Sequence, residues 1–293
     1  MAQVLVGCSG WNYGDPFEKG GWVGSFYPDS REKRLSYYSR YFQTAELDAT
    51  FYEKFYAKMA PGTFFGMVRA TPDGFQFSVK VPETVTHKKR LDLRAGAADA
   101  IAEFLERIDP LRRADKLGAV LIQLPPSFTV REFRQAESFL DSLPRGYEYA
   151  VEFRHPSWET EGPWELLKHY NVAGVLTDSP DPELQFLSEI SVTADHAFIR
   201  LHGRNAGFWY NYLYNKEELA PWADKVRVIQ SIPGLKTLRI YFNNHYGAGA
   251  VENALEFREM LGDKLSAEEL ATSKRIREAI GSVRSQKKIA DFP

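Results

Sequence analysis

The sequence predicts a single (β/α)8 barrel of the TIM type with a short C-terminal helical extension, and three observations carry that prediction. Eight short segments rich in β-formers recur along the 293 residues, each followed by a longer stretch with helical features, the order expected of parallel βα units. One barrel of about 250 residues plus short extensions accounts for the length. Length alone would also admit two average domains, and the count of eight decides between them. Within the segments apolar and charged side chains alternate, so one face suits a surrounding helix layer and the other the barrel interior.

The first segment, 4–8 (VLVGC), holds the lone cysteine, Cys8, in an apolar run that suits a small buried thiol better than a nucleophile. Stretch 31–43 reads as a helix, and the second segment, 44–49, opposes Ala45 and Leu47 to Glu46 and Asp48. The third, 75–81, separates Phe77, Val79 and Val81 from Ser78 and Lys80, and a helix follows at 97–114. The fourth, 118–124, brings Gln123 to its end, where Thr129 and Glu132 have the spacing of a capping box. In the fifth, 148–154, Val151 and Phe153 oppose Ala150, Glu152 and Arg154, and Pro163 suits the first turn of the next helix. The sixth, 172–178, ends at Asp178. The seventh, 196–202, sets Ala197, Ile199 and Leu201 against Phe198, Arg200 and His202. Asn215 with Glu218 caps the helix that follows, which Pro221 is expected to split or kink. The eighth, 237–243, ends at Asn243, ahead of Asn244, His245, a glycine-rich turn and a helix at 249–262. Residues 1–264 thereby form the barrel domain. Residues 265–293 form a helix and basic tail, where Glu268, Glu269 and Glu278 among Lys274, Arg275, Arg277, Arg284, Lys287 and Lys288 suggest a solvated helix.

Composition narrows the class. Hydrophobic residues at 44% and charged residues at 26% suit a chain with a sizeable core and exclude disorder over most of its length. The formal charge of −2 gives no overall attraction to nucleic acid or anionic membrane, so only a local basic patch could supply one. The start, MAQVLVGCSGW, lacks a basic n-region, and no run of about 18 apolar residues could span a bilayer. A cytoplasmic protein without a membrane partner is expected.

Several motifs then converge. GCSGWNY, FYP at 26–28, TFY at 50–52, TH at 86–87, QLPPSF at 123–128, EFRHPSW at 152–158, RLHGR at 200–204 and YFNNH at 241–245 resemble the domain of unknown function 72 family, YecE-like, over about residues 3–260. The resemblance implies a TIM-type barrel and no established reaction or cofactor. Where that family often has an acidic-apolar-Asn-Ser pattern before TFY, this chain has Glu46, Leu47, Asp48 and Ala49, which adds a carboxylate.

The charged faces place candidate chemistry at the C-terminal mouth of the barrel. Lys80, Arg154, Arg200 and Arg204 could hold phosphate or carboxylate, supported by backbone N–H groups where Gly247 and Gly249 precede a helix. The same four cations could instead pair with Glu46, Asp48, Glu152 and Asp178, and the glycines could simply make turns. Glu46, Glu152, His202, Asp178 and His245 are the candidate acid–base groups, with His87 and His155 in nearby loops. The chain has no HxH or HExxH spacing, and the interleaved cations oppose a bare metal ion, so neither metal nor cofactor is expected. Trp11, Phe51, Tyr52, Trp158 and Trp209 fall in loops or at strand ends, where rings stack a ligand or pack as a lid; Asn243 and Asn244 join them as ligand candidates. The leading expectation is an enzyme acting at this mouth on a phosphate-bearing ligand, nucleotides and nucleic-acid-derived compounds included. The alternatives are a nucleic-acid-binding protein without turnover and, less favoured, a glycosidase or metal-dependent hydrolase.

Overall fold

The computed structural model describes residues 1–205, 207, 208 and 210–290, with side chains as far as residue 282. Eight parallel strands close into a barrel in sequence order: β1 (Gln3–Ser9), β2 (Thr44–Leu47), β3 (Gln76–Lys80), β4 (Leu117–Gln123), β5 (Glu148–Glu152), β6 (Ala173–Asp178), β7 (His196–Leu201) and β8 (Thr237–Phe242). β8 returns to pair with β1 from Gln3↔Thr237 to Cys8↔Phe242, so no edge is left unpaired. Each strand lies within about two residues of the segment expected at its place.

The alternation read in the sequence separates two cores. Val79, Val151, Ile199 and Ile240 belong to the layer between strands and helices. Ala119, Leu121, Ala150, Ala173, Val175, Phe198 and Tyr241 fill the middle of the barrel. Above and below this apolar layer the inward positions are polar. At the N-terminal end Arg239 binds Gln76 and Glu148, and at the C-terminal end Arg200 binds Glu46 and Glu152.

The surrounding helices are α1 (Arg34–Tyr38), α2 (Glu53–Tyr56), α3 (Pro61–Ala70), α4 (Ala97–Arg113), α5 (Phe133–Ser142), α6 (Glu161–His169), α7 (Lys216–Gln230), α8 (Gly249–Met260) and α9 (Ala267–Ala290). Both expected capping boxes form, Thr129 with Glu132 and Asn215 with Glu218. Three expectations change. Stretch 31–43 yields only the short α1, because the Tyr38 hydroxyl accepts from the Cys8 N–H (2.8 Å) and donates to the Thr44 carbonyl (2.9 Å), turning the chain into β2. Pro221 does not break α7: one backbone bond is lost, while burial of Leu219, Trp222, Ala223, Val226 and Ile229 holds the helix together. The C-terminal helix is not simply solvated either. Ile276 is buried, Arg277 pairs with Glu252 and Glu256 of α8, and Arg275 donates to the Phe26 carbonyl (3.0 Å). Arg284, Lys287 and Lys288 lie outside the described side chains, as Trp209 does outside the described residues. Among the described residues no helix is long and apolar enough to cross a membrane.

Candidate active site at the barrel mouth

The floor of the mouth is an ion-pair network centred on Arg200. β7 sends this side chain inward, where Nε and Nη2 donate to the two oxygens of Glu46 on β2 (2.9 and 2.7 Å) and Nη1 donates to Glu152 on β5 (2.5 Å). All three residues are buried. Two carboxylates around one guanidinium satisfy its planar fork and repay the loss of water around each charge. The second oxygen of Glu152 accepts from Arg154 Nε (2.6 Å) and Gln123 Nε2 (2.8 Å), and His202 Nε2 stands 3.3 Å away. Burial would raise the Glu152 carboxyl, but Arg200, Arg154 and His202 together hold it well below the usual carboxylate range. Burial pushes His202 down to about 4, against the pull of Glu152, so its ring is neutral at pH 7. With the Asn243 amide 3.0 Å from Nδ1 and donating to it, the imidazole proton sits on Nε2, facing Glu152.

Lys80 differs from the other cations. Its Nζ lies 3.7 Å from the centre of the Phe51 ring, the residue is 7% exposed, and among the described residues no carboxylate reaches ion-pair distance. Burial and then Arg200 lower its amine to about 8, although Glu152 and Glu46 act the other way. Asp48 directly follows β2, where the backbone turns helical (φ −86°, ψ −22°) at the start of the TFY segment. Burial and the neighbouring Glu46 raise the Asp48 carboxyl, and Lys80 and Arg200 only partly offset this. His87 packs edge-on to Phe51 (4.9 Å), its Nδ1 is 2.8 Å from the Thr86 hydroxyl, and burial and Lys80 lower it to about 4. Tyr52, 45% exposed, stands at the rim, edge-on to Phe51. Ser9, at the end of β1 and paired with Glu46 in register, has a buried hydroxyl without a hydrogen-bond partner among the described residues. The sequence reading passed over it, although it lies inside the GCSGW motif.

The remaining candidates sit elsewhere. Asp178 and Arg204 form their own bidentate pair (2.9 and 3.0 Å). A Cβ on Gly174 would meet Trp164 and Leu167 of α6, so the alternation turns Asp178 toward the helices and away from Arg200. Asn244 is buried and donates to the Tyr212 carbonyl and to Asn253. A Cβ on Gly249 would lie 2.9 Å from the Tyr212 carbonyl oxygen, and the Gly247 N–H donates to the Gly20 carbonyl (3.0 Å). The start of α8, expected to cradle an anion, is thus packed against the protein's own loops. His245 is sandwiched between Tyr13 and Tyr210 (4.5 and 5.0 Å), and burial lowers it to about 4. Trp158 is buried between Phe128 and Phe153 with its Nε1 on the Phe128 carbonyl (2.8 Å), Trp11 packs on Phe77, and His155 Nδ1 meets Ser157 (2.8 Å). These aromatic rings build the walls. Cys8 is buried, which raises its thiol far above the ordinary range.

Comparison with known proteins places this barrel in company. The profile of the family described as protein of unknown function DUF72 matches residues 5–276, reaching into α9. The UPF0759 protein YunF of Bacillus subtilis is 27% identical over 88% of this chain and 95% of its own length. YecE of Escherichia coli is 36% identical over 128 residues, 44% of each chain. The crystal structure of a DUF72 family protein from Thermotoga maritima superposes with a TM-score of 0.74 at 31% identity, covering 89% of this chain and all of the other.

Proposed function

The chain belongs to the DUF72 family, and from the geometry of its mouth we propose that it is an enzyme acting on a small ligand that bears phosphate or carboxylate. One observation supports this reading above the others: Lys80 is a buried cation held against an aromatic face and, among the described residues, within ion-pair distance of no carboxylate. Holding a desolvated ammonium there costs stability, and such costs concentrate where function needs them. The fixed charges agree. Lys80, Arg154 and Arg200 come together over Glu46 and Glu152, so an anionic ligand in the mouth meets three cations at once. Arg200 is the floor of the site and not its phosphate clamp, because its guanidinium is already wrapped by two carboxylates. Lys80 and Asp48 carry the proton transfers, each shifted toward the pH at which it can both give and take a proton.

The test is a thermal-shift survey with inorganic phosphate, phosphorylated metabolite-sized compounds and small carboxylates, run on the wild type and on Lys80→Met. Stabilisation of the wild type by members of one class, lost in the variant, is the expected result. No stabilisation of the wild type by any anion at millimolar concentration sinks the reading.

A further inference from the structure

We infer that Lys80 is a nucleophile that forms an imine with the carbonyl group of an aldehyde or ketone bound in the mouth. This deepens the reading above and rests on it: the substrate class becomes an anionic carbonyl compound. Two placements support it. The Lys80 amine is enclosed by Phe51 on one side and, among the described residues, has no carboxylate to hold it as an ion pair, so deprotonation breaks no salt bridge. Asp48 directly follows β2, and Lys80 and Arg200 both act on its carboxyl, which puts a proton-transfer group in the same mouth. The groups acting on the amine from the surrounding strands are Arg200 and Arg154, which favour its neutral form, and Glu152 and Glu46, which favour the charged one. A lysine desolvated beside another cation is the arrangement that makes an amine nucleophilic near neutral pH. At pH 7 an amine with a pKa of about 8 is neutral about two orders of magnitude more often than a surface lysine.

The step balances without a further reagent. The neutral amine adds to the carbonyl carbon, the π pair passes to oxygen, and the nitrogen gives up one proton as the oxygen gains one. Asp48, in the acid form that its burial favours, then donates to the hydroxyl of the carbinolamine, water leaves with the oxygen, and the nitrogen lone pair forms the C=N bond. Asp48 is left as a carboxylate beside the iminium.

The experiment is reductive trapping. The full-length protein is incubated at pH 7 with pyruvate or glycolaldehyde phosphate and sodium cyanoborohydride, and the modified residue is located by peptide mass spectrometry. An adduct at Lys80, heavier by the mass of the probe less one oxygen atom and formed at least tenfold faster than at any other lysine, is expected. Asp48→Asn, which keeps the side-chain volume, should form that adduct several-fold more slowly, and the trapping rate should climb with pH to a plateau above about 8. Modification spread evenly over surface lysines overturns the inference. If in that case phosphate or pyruvate still stabilises the wild type and not Lys80→Met, the anion-site reading stands alone; if neither effect is seen, both fall.

Discussion

The barrel buries two arginines inside its wall, one at each end, and they differ in what surrounds them. Arg239, at the N-terminal end, donates Nε and Nη2 to a single amide oxygen of Gln76 (3.0 and 2.7 Å) and Nη1 to Glu148, a carboxylate 34% exposed. Its partners balance it and nothing is left over. Arg200, at the C-terminal end, is held by two fully buried carboxylates, one of which also serves Arg154, Gln123 and His202, and it is flanked by Lys80, Asp48 and the hydroxyl of Ser9, unpartnered among the described residues. The same residue type makes a plug at one end and the floor of a site at the other. A buried arginine is therefore no sign of function by itself; the surplus of shifted and unpartnered groups around it is.

That comparison breaks most visibly when each arginine is removed. Arg200→Met leaves Glu46 and Glu152 facing each other in the interior, and the expected loss is about 3–5 kcal/mol of unfolding free energy, a large share of the stability of a typical domain. Arg239→Met leaves an amide and a carboxylate that already reaches water, and about 1–2 kcal/mol is expected. Chemical denaturation of the two variants measures the difference. Equal losses would mean that the two ends are equivalent structural plugs.

Lys80→Met sharpens the contrast with the opposite sign. The native amine sits near 8 against about 10.4 in an unfolded chain, so the unfolded state binds more protons between those values and wild-type stability rises across that window. Below pH 8 the full cost of burying the ammonium is present. The variant should therefore be more stable than the wild type at pH 7, by about 1–3 kcal/mol after the lost contact with Phe51 is set against the gain. The advantage should shrink as pH rises from 8 toward 10.5. A variant less stable than the wild type at pH 7 would make Lys80 a structural group.

How much of this the sequence carries depends on distance along the chain. Strand positions and inward faces were legible because parity needs only neighbouring residues: Ser78 with Lys80 and Phe198 with Arg200 follow from alternation. Pairing was not legible. Arg200 and Glu46 are 154 residues apart and meet only because β7 and β2 face each other across the closed barrel. So four cations read as equivalent separate into a floor (Arg200), a side partner (Arg154), an outer pair (Arg204 with Asp178) and one amine held against a ring (Lys80). Nor does sequence distinguish a glycine that admits phosphate from one that admits a neighbouring carbonyl, which is what Gly249 does. Arg239 shows the same limit at the other end, since parity gives a face but not a depth.

The effect expected at Arg154 is as small as that at Arg239, and its pH dependence is more telling than its size. Its side chain is 18% exposed and its Nε is one of several donors to Glu152, the others being Arg200, Gln123 and His202. Arg154→Met keeps the apolar stem and removes one charge-assisted bond, for a loss of about 1–2 kcal/mol at pH 7. Arg154 helps to hold Glu152 below its unfolded pKa, and a depressed carboxylate contributes stability that is present above the unfolded value and lost as pH falls through the folded one. The variant's Glu152 should titrate higher than the wild type's, so the gap between the two proteins should be constant above the variant's folded pKa and close as pH falls through the wild-type one, well below the usual carboxylate range. Melting temperatures of both proteins from pH 7 downward test this. A gap that narrows at no pH down to acid unfolding would mean that Arg154 contributes packing alone and that Glu152 is held by Arg200 without it.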